Sequence, residues 1–152
     1  MAYKGRYRVA KPEKYRGDPS KVTYRSSWEV KFFRFCESHD DIVEWGSEII
    51  SIPYYSPVDG KWHRYFPDVY LKKKLPNGTF EEILIEIKPD AQTRPPDVAK
   101  RNATKTGRIS RRYLNEVKRW GTNDAKWEAA KKFCDARGWR FEIMTEKHLG
   151  IR

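Results

Sequence analysis

The stretch Phe66-Pro67-Asp68-Val69-Tyr70-Leu71-Lys72-Lys73-Lys74-Leu75-Pro76-Asn77-Gly78-Thr79-Phe80-Glu81-Glu82-Ile83-Leu84-Ile85-Glu86-Ile87-Lys88 reads as a β-hairpin. Its turn is Leu75-Pro76-Asn77-Gly78, where proline presets φ and Asn-Gly tolerates left-handed backbone. The spacing predicts a strand over 63–71 and a central strand over 82–88. In the second, Ile83, Ile85 and Ile87 share one face, and Leu84, Glu86 and Lys88 share the other. Facing positions across such a turn sum to roughly 153–155, which sets Asp68 opposite residues 85 to 87. Paired with Glu86, Asp68 would project its carboxylate to the same side, with Cβ atoms about 5 Å apart. Lys88 lies on that face about 6.8 Å along the strand.

Two carboxylates and a lysine on one face are suited to holding Mg²⁺ against a phosphodiester. Mg²⁺ prefers oxygen ligands and keeps several waters, so one or two carboxylates suffice. Such a metal polarises the phosphodiester and lowers the pKa of a bound water. The Ile87 carbonyl is available as a further hard ligand. Glu86-x-Lys88 spacing also occurs on solvated salt-bridge faces, and an aspartate after proline also caps turns. The hairpin register and the isoleucine-rich strand favour the metal site.

Outward from the hairpin, residues 27–38 read as a helix with Ser26 as N-cap and Glu29 completing a capping box. Trp28, Phe32, Phe35 and Cys36 fall on one stripe, with Phe33 at its edge and Lys31, Arg34 and Glu37 opposite. Glu29 lies on the apolar stripe. An acid directed inward there is either a plain capping residue or a group beside the metal, and the second reading is preferred. Residues 41–55 are expected as two short strands around Gly46, and Pro53 to Gly60 as a turn region. Residues 89–109 are expected as a long loop or broken helix, 110–120 and 123–137 as two helices with Gly138 as the stop, and 139–143 as a strand.

The chain has 152 residues and a net charge of +11, enough length for one domain and enough positive charge to favour a polyanion, usually nucleic acid. Residues 1–25 hold eight Lys/Arg against Glu13 and Asp18, and are expected as a basic, irregular arm preceding a domain over 26–152. Arg94, Lys100, Arg101, Lys105, Arg108, Arg111, Arg112, Lys118 and Arg119 face only Asp97 and Glu116 in the same span. These are candidate phosphate contacts, which neutralise charge without reading sequence. No apolar run of 18 residues and no secretory leader is present, so no membrane partner is expected. Cys36 and Cys134 suit a reduced chain and are expected in the core, and the three histidines lack zinc-ligand spacing. His63 is expected as strand-end structure, His39 and His148 at the surface. Phosphate-binding loops, dinucleotide turns and serine-hydrolase elbows are missing from the sequence, which removes those enzyme classes.

Ser27-x-Glu29, Phe66-Pro67-Asp68, Glu86-Ile87-Lys88 and the ending Phe141-Glu142-Ile143-Met144-Thr145-Glu146-Lys147-His148-Leu149 together resemble the PD-(D/E)xK nucleases, in particular TnsA-type endonuclease domains. The resemblance runs from about residue 24 onward. It implies an α/β (α+β) restriction-endonuclease-like fold, a mixed sheet flanked by helices in a single domain. It implies Mg²⁺-dependent hydrolysis of double-stranded DNA, with Mn²⁺ as a possible substitute. By motif position Asp68 and Glu86 would bind metal, Lys88 would be catalytic and Glu29 would complete the acidic cluster. TnsA-type domains often carry Gln where this chain has Glu86. Length and layout are similar to head-completion nucleases of T-even-type tailed phages. That implies action on DNA ends after genome packaging, in the host cytoplasm or on the virion, with head, portal or neck proteins as partners. The alternatives are a non-catalytic DNA-binding head or portal assembly factor that keeps the fold, and a repair or junction-resolving nuclease.

Overall fold

A computed structural model describes residues 4–101 and 107–150 of the chain. In chain order the elements are β1 (Gly5–Arg6), β2 (Thr23–Tyr24), α1 (Ser27–Ser38), β3 (Ile42–Ser47), β4 (Ile52–Ser56), β5 (Lys61–Tyr65), β6 (Val69–Lys74), β7 (Phe80–Ile87), α2 (Arg111–Arg137) and β8 (Arg140–Met144). The principal sheet has the order β3-β6-β7-β8. β3, β6 and β7 pair antiparallel, whereas β8 joins β7 in parallel after the long excursion through α2. This is the expected mixed sheet flanked by helices.

Strand alternation sends the two faces of β7 to two cores. Ile83, Ile85 and Ile87 pack with Phe32, Phe33 and Cys36 of α1, with Trp45 of β3 and with Val69. Leu84 and Tyr70 face the other way, toward Trp127, Ala130 and Cys134 of α2. β7 is therefore covered on both sides, which is why it reads as a nearly continuous apolar run. The separate β4–β5 hairpin, in register from Ile52↔Tyr65 to Ser56↔Lys61, adds Ile52, Tyr54 and Tyr65 to the α2 core.

Several expectations are corrected. Gly46 does not separate two strands but lies within β3. A Cβ there would come within 2.8 Å of the Arg16 carbonyl and 2.6 Å of Ile49 Cδ1, so the glycine permits close approach of the N-terminal segment. The strand ends one residue later, before Glu48, which has φ 52°. Pro53 sits in β4 and not in a turn, on the two-stranded hairpin, where a missing N–H is tolerated. The strand expected over 63–71 is two strands, interrupted at Phe66-Pro67-Asp68, with the second running on to Lys74.

The basic segment expected as an arm packs on the domain. Gly5–Arg6 pairs with Thr23–Tyr24, the Tyr15 backbone bridges to Trp45, and Tyr7, Val9 and Val22 enter the α1 core. The stripe on α1 is rotated accordingly. Phe33 is fully buried, Phe35 is exposed, and Glu37 is buried because its carboxylate accepts from the Tyr7 hydroxyl (2.5 Å) and from the Ala10 (2.7 Å) and Lys11 (2.9 Å) N–H groups.

α2 is one helix of 27 residues, not two. Ser110 caps it, accepting from the Tyr113 N–H, and Gly138 at φ 69° ends it as expected. Gly121 sits in its interior, and an added Cβ would meet only Pro57 and Val58 at 3.9 Å. Since glycine inside a helix is about 0.5–1 kcal/mol worse than alanine, Gly121→Ala should raise the denaturation midpoint by a corresponding amount without altering the denaturant slope.

Candidate active site

Asp68 stands immediately before β6, on the corner made by Phe66 and the fully buried Pro67. The register Val69↔Ile85, continued by one residue, sets Asp68 beside Glu86, as the hairpin arithmetic expects. Asp68 Oδ2 accepts from the Ile87 N–H at 2.7 Å, which fixes the carboxylate over the end of β7. Glu86 is buried, at 5% exposure. Lys88 continues the strand, with its N–H donating to the Met144 carbonyl at 2.9 Å.

Burial raises the Asp68 carboxyl well above the ordinary carboxylate range, and the adjacent Glu86 carboxylate adds to the rise. The Ile87 N–H and the Lys88 ammonium oppose it without overcoming it. Two carboxylates held this way repel each other when both are ionised, and a divalent cation between them relieves that repulsion. The donor set thus fits a hard, water-retaining cation such as Mg²⁺. Among the described residues no group of three or more His, Cys, Asp or Glu side chains is placed to hold a metal ion.

Glu29 has a place in two structures, the capping box and the wall of the Asp68 cavity. As the third residue of α1 it forms the capping box: Ser26 Oγ accepts from the Glu29 N–H (3.3 Å), and Glu29 Oε2 accepts from the Ser26 hydroxyl (3.1 Å) and the Arg25 N–H (3.1 Å). It is also buried and lines the same cavity of about 390 Å³ as Asp68, Ile87, Lys88 and Gln92. Burial, and then the Asp68 charge, raise its carboxyl pKa. Arg25 closes the rim and is itself paired with Glu48.

The Thr145-Glu146-Lys147 ending clasps the loop beside this cavity. Glu146 accepts from the Asp90 N–H at 3.1 and 3.2 Å, and Lys147 Nζ pairs with the Asp90 carboxylate at 3.3 Å. His148 Nδ1 accepts from the Thr145 N–H at 3.0 Å and closes the turn. His63 lies on the exposed hairpin, paired with Asp59 at 2.7 Å and away from the carboxylates' cavity.

Of the expected phosphate contacts, Arg94, Arg111, Arg112 and Arg119 line a second cavity of about 790 Å³ between the loop after β7 and the first half of α2. Arg94 also pairs with Asp90 at 3.0 Å, and Arg112 with Glu116 at 3.5 Å. Gln92 lines both cavities. Arg101 and Arg108 are exposed, Lys100 ends a short 3-10 turn, and Lys105 lies outside the described residues.

Sequence reasoning missed Lys126. It projects from α2 over the rings of Tyr65 (5.6 Å) and Tyr54 (5.9 Å), half-buried, on the side of the sheet to which Glu86 turns. Burial lowers its pKa, and the charge of Glu86 is the strongest effect opposing that. The buried Tyr65 hydroxyl is held far above its ordinary pKa, first by burial and then by Glu86 and Asp68. The only signal in the sequence was that Lys126 adjoins the Trp127, Ala130 and Cys134 stripe.

Over residues 39–146 the chain matches the family described as TnsA-like endonuclease, N-terminal. The match includes Asp68, Glu86 and Lys88 and begins after Glu29. The head completion nuclease of Enterobacteria phage T4 is 41% identical over 149 residues, covering 98% of this chain and 95% of that protein.

Proposed function

The chain belongs to the TnsA-like endonuclease family, and on that premise we propose that it is a divalent-metal-dependent nuclease that hydrolyses DNA phosphodiesters in phage head completion. The observation that carries the reading is the carboxylate pair Asp68 and Glu86 with Lys88 one strand step beyond, beside a basic cavity. The near full-length likeness to a head completion nuclease supports the biological role. It favours action on DNA ends after packaging, in the host cytoplasm or on the particle, with head, portal or neck proteins as partners.

In this reading Asp68 and Glu86 would hold Mg²⁺ or Mn²⁺, with the Ile87 carbonyl as a further oxygen ligand. A cation held there would supply Lewis-acid polarisation of the phosphodiester and lower the pKa of water. Lys88 places its ammonium where negative charge builds on the phosphate, an interaction stronger in the transition state than in the ground state. Glu29 closes the cavity wall and orients water. Arg94, Arg111 and Arg112 hold the phosphates beyond the cut, and Lys126 balances the buried Glu86 from the α2 side.

The test is cleavage of linear and supercoiled DNA with Mg²⁺ or Mn²⁺. Wild type should cut only with metal, and Lys88→Met should cut about 10²-fold more slowly, the scale of losing one preorganised donor to the developing charge. Tight, salt-sensitive DNA binding with no cutting under any metal would instead favour the assembly-factor reading.

A further inference from the structure

The larger cavity contains more than phosphate neutralisation requires. Its rim carries Arg94, Arg111, Arg112 and Arg119. Its wall on α2 also presents Trp120 and, three residues on, Asn123, which share one helix face. Trp120 is half-buried and braced edge-to-face by Trp127, with ring centres 6.0 Å apart at 81°. Asn123 is 5% exposed, and its Nδ2 has no hydrogen-bond partner among the described residues. That nitrogen is itself buried, so Trp120 and the arginines are what a ligand in the cavity meets. A braced indole on a wall that also carries arginines matches the chemistry that holds an unstacked nucleobase: a π-face for stacking and cations for the flanking phosphates. The volume of about 790 Å³ lies in the range of small-molecule pockets. Gln92 lines both this chamber and the Asp68 cavity, so the two are neighbours.

We propose that the cavity receives an unpaired nucleobase near the scissile phosphodiester, with Trp120 stacking on it and the arginines holding its flanking phosphates. The preferred substrate is then DNA with an unpaired nucleotide near the cut, such as an overhang or frayed end, and not a uniformly paired duplex. The proposal rests on the DNA-hydrolysis reading above.

The experiment measures binding in EDTA, where no cutting occurs, to short duplexes that are blunt or carry an overhang with 2-aminopurine at the junction. Wild type should bind the overhang about tenfold more tightly than the blunt duplex, the scale of one stacked base, and should quench the 2-aminopurine. Trp120→Leu should lose both the preference and the quench while keeping blunt-duplex affinity. Should Trp120→Leu fail to fold, Trp120→Phe carries the comparison, with the quench reduced. Equal affinities without quenching in wild type, or a preference that survives undiminished in a folded Trp120 variant, overturns the proposal. Metal-dependent cleavage by wild type alongside that result would sink only the base pocket. Absence of cleavage with any metal would sink the nuclease reading, and the proposal with it.

Discussion

Asp68→Asn is expected to slow DNA cleavage by about 10³-fold, or ~4 kcal/mol of barrier, and to make the metal-free protein more stable at neutral pH. The two effects share one cause. Asn keeps an oxygen to accept from the Ile87 N–H but removes the charge that both holds the cation and repels Glu86. In the folded chain the Asp68 carboxyl binds its proton more tightly than in the unfolded chain, because burial and then Glu86 disfavour the carboxylate. Folding is therefore favoured by protonation here. The penalty is absent below the unfolded carboxyl pKa of about 4, grows as pH rises toward the raised folded value, and is fully present above it. The variant's advantage should follow that curve in EDTA, appearing as a higher Tm by about 2–4 °C per kcal/mol recovered in a domain of this size and vanishing at low pH. Saturating Mg²⁺ should narrow the gap by stabilising wild type alone. A variant less stable than wild type at every pH would mean that the carboxylate is structural.

Trp45→Ala should be among the most damaging core changes, at about 3–5 kcal/mol, a large part of the ~5–15 kcal/mol typical of a domain. Trp45 is fully buried, with ring centres 4.8 Å from Tyr15, 5.1 Å from Phe33 and 6.1 Å from Tyr7. It therefore joins the N-terminal segment and α1 to the sheet. Its indole N–H has no hydrogen-bond partner among the described residues. Trp45→Phe loses part of the packing volume but no polar contact, and should cost clearly less than the alanine variant. Urea denaturation of the two variants separates these values. An alanine variant no worse than the phenylalanine one would show that the N-terminal segment is not held through this residue.

The parts of the fold that were legible are those set by local chemistry. Pro76-Asn77-Gly78 fixes the register, and that register brings Asp68 to Glu86 without any long-range information. Ser26 and Gly138 mark helix ends because caps are local hydrogen-bonding solutions. The illegible parts depend on distant partners. Tyr7, Val9 and Val22 stand singly among cations with no period, and their burial depends on α1 and Trp45. Glu37 looks like a surface acid until the Tyr7 hydroxyl and two backbone N–H groups reach it. α2 continues through Gly121-Thr122 because packing of Trp120 and Trp127 outweighs weak propensity there. Lys126 is a surface lysine by sequence and a neighbour of Glu86 only through the packing of α2 on the sheet.

The most direct measurement is calorimetric titration of Mn²⁺ into wild type, Asp68→Asn and Glu86→Gln at neutral pH. The carboxylate-pair account predicts saturable binding to wild type and its loss in both variants, with the folded structure retained by circular dichroism. Equal Mn²⁺ binding by all three proteins would contradict it.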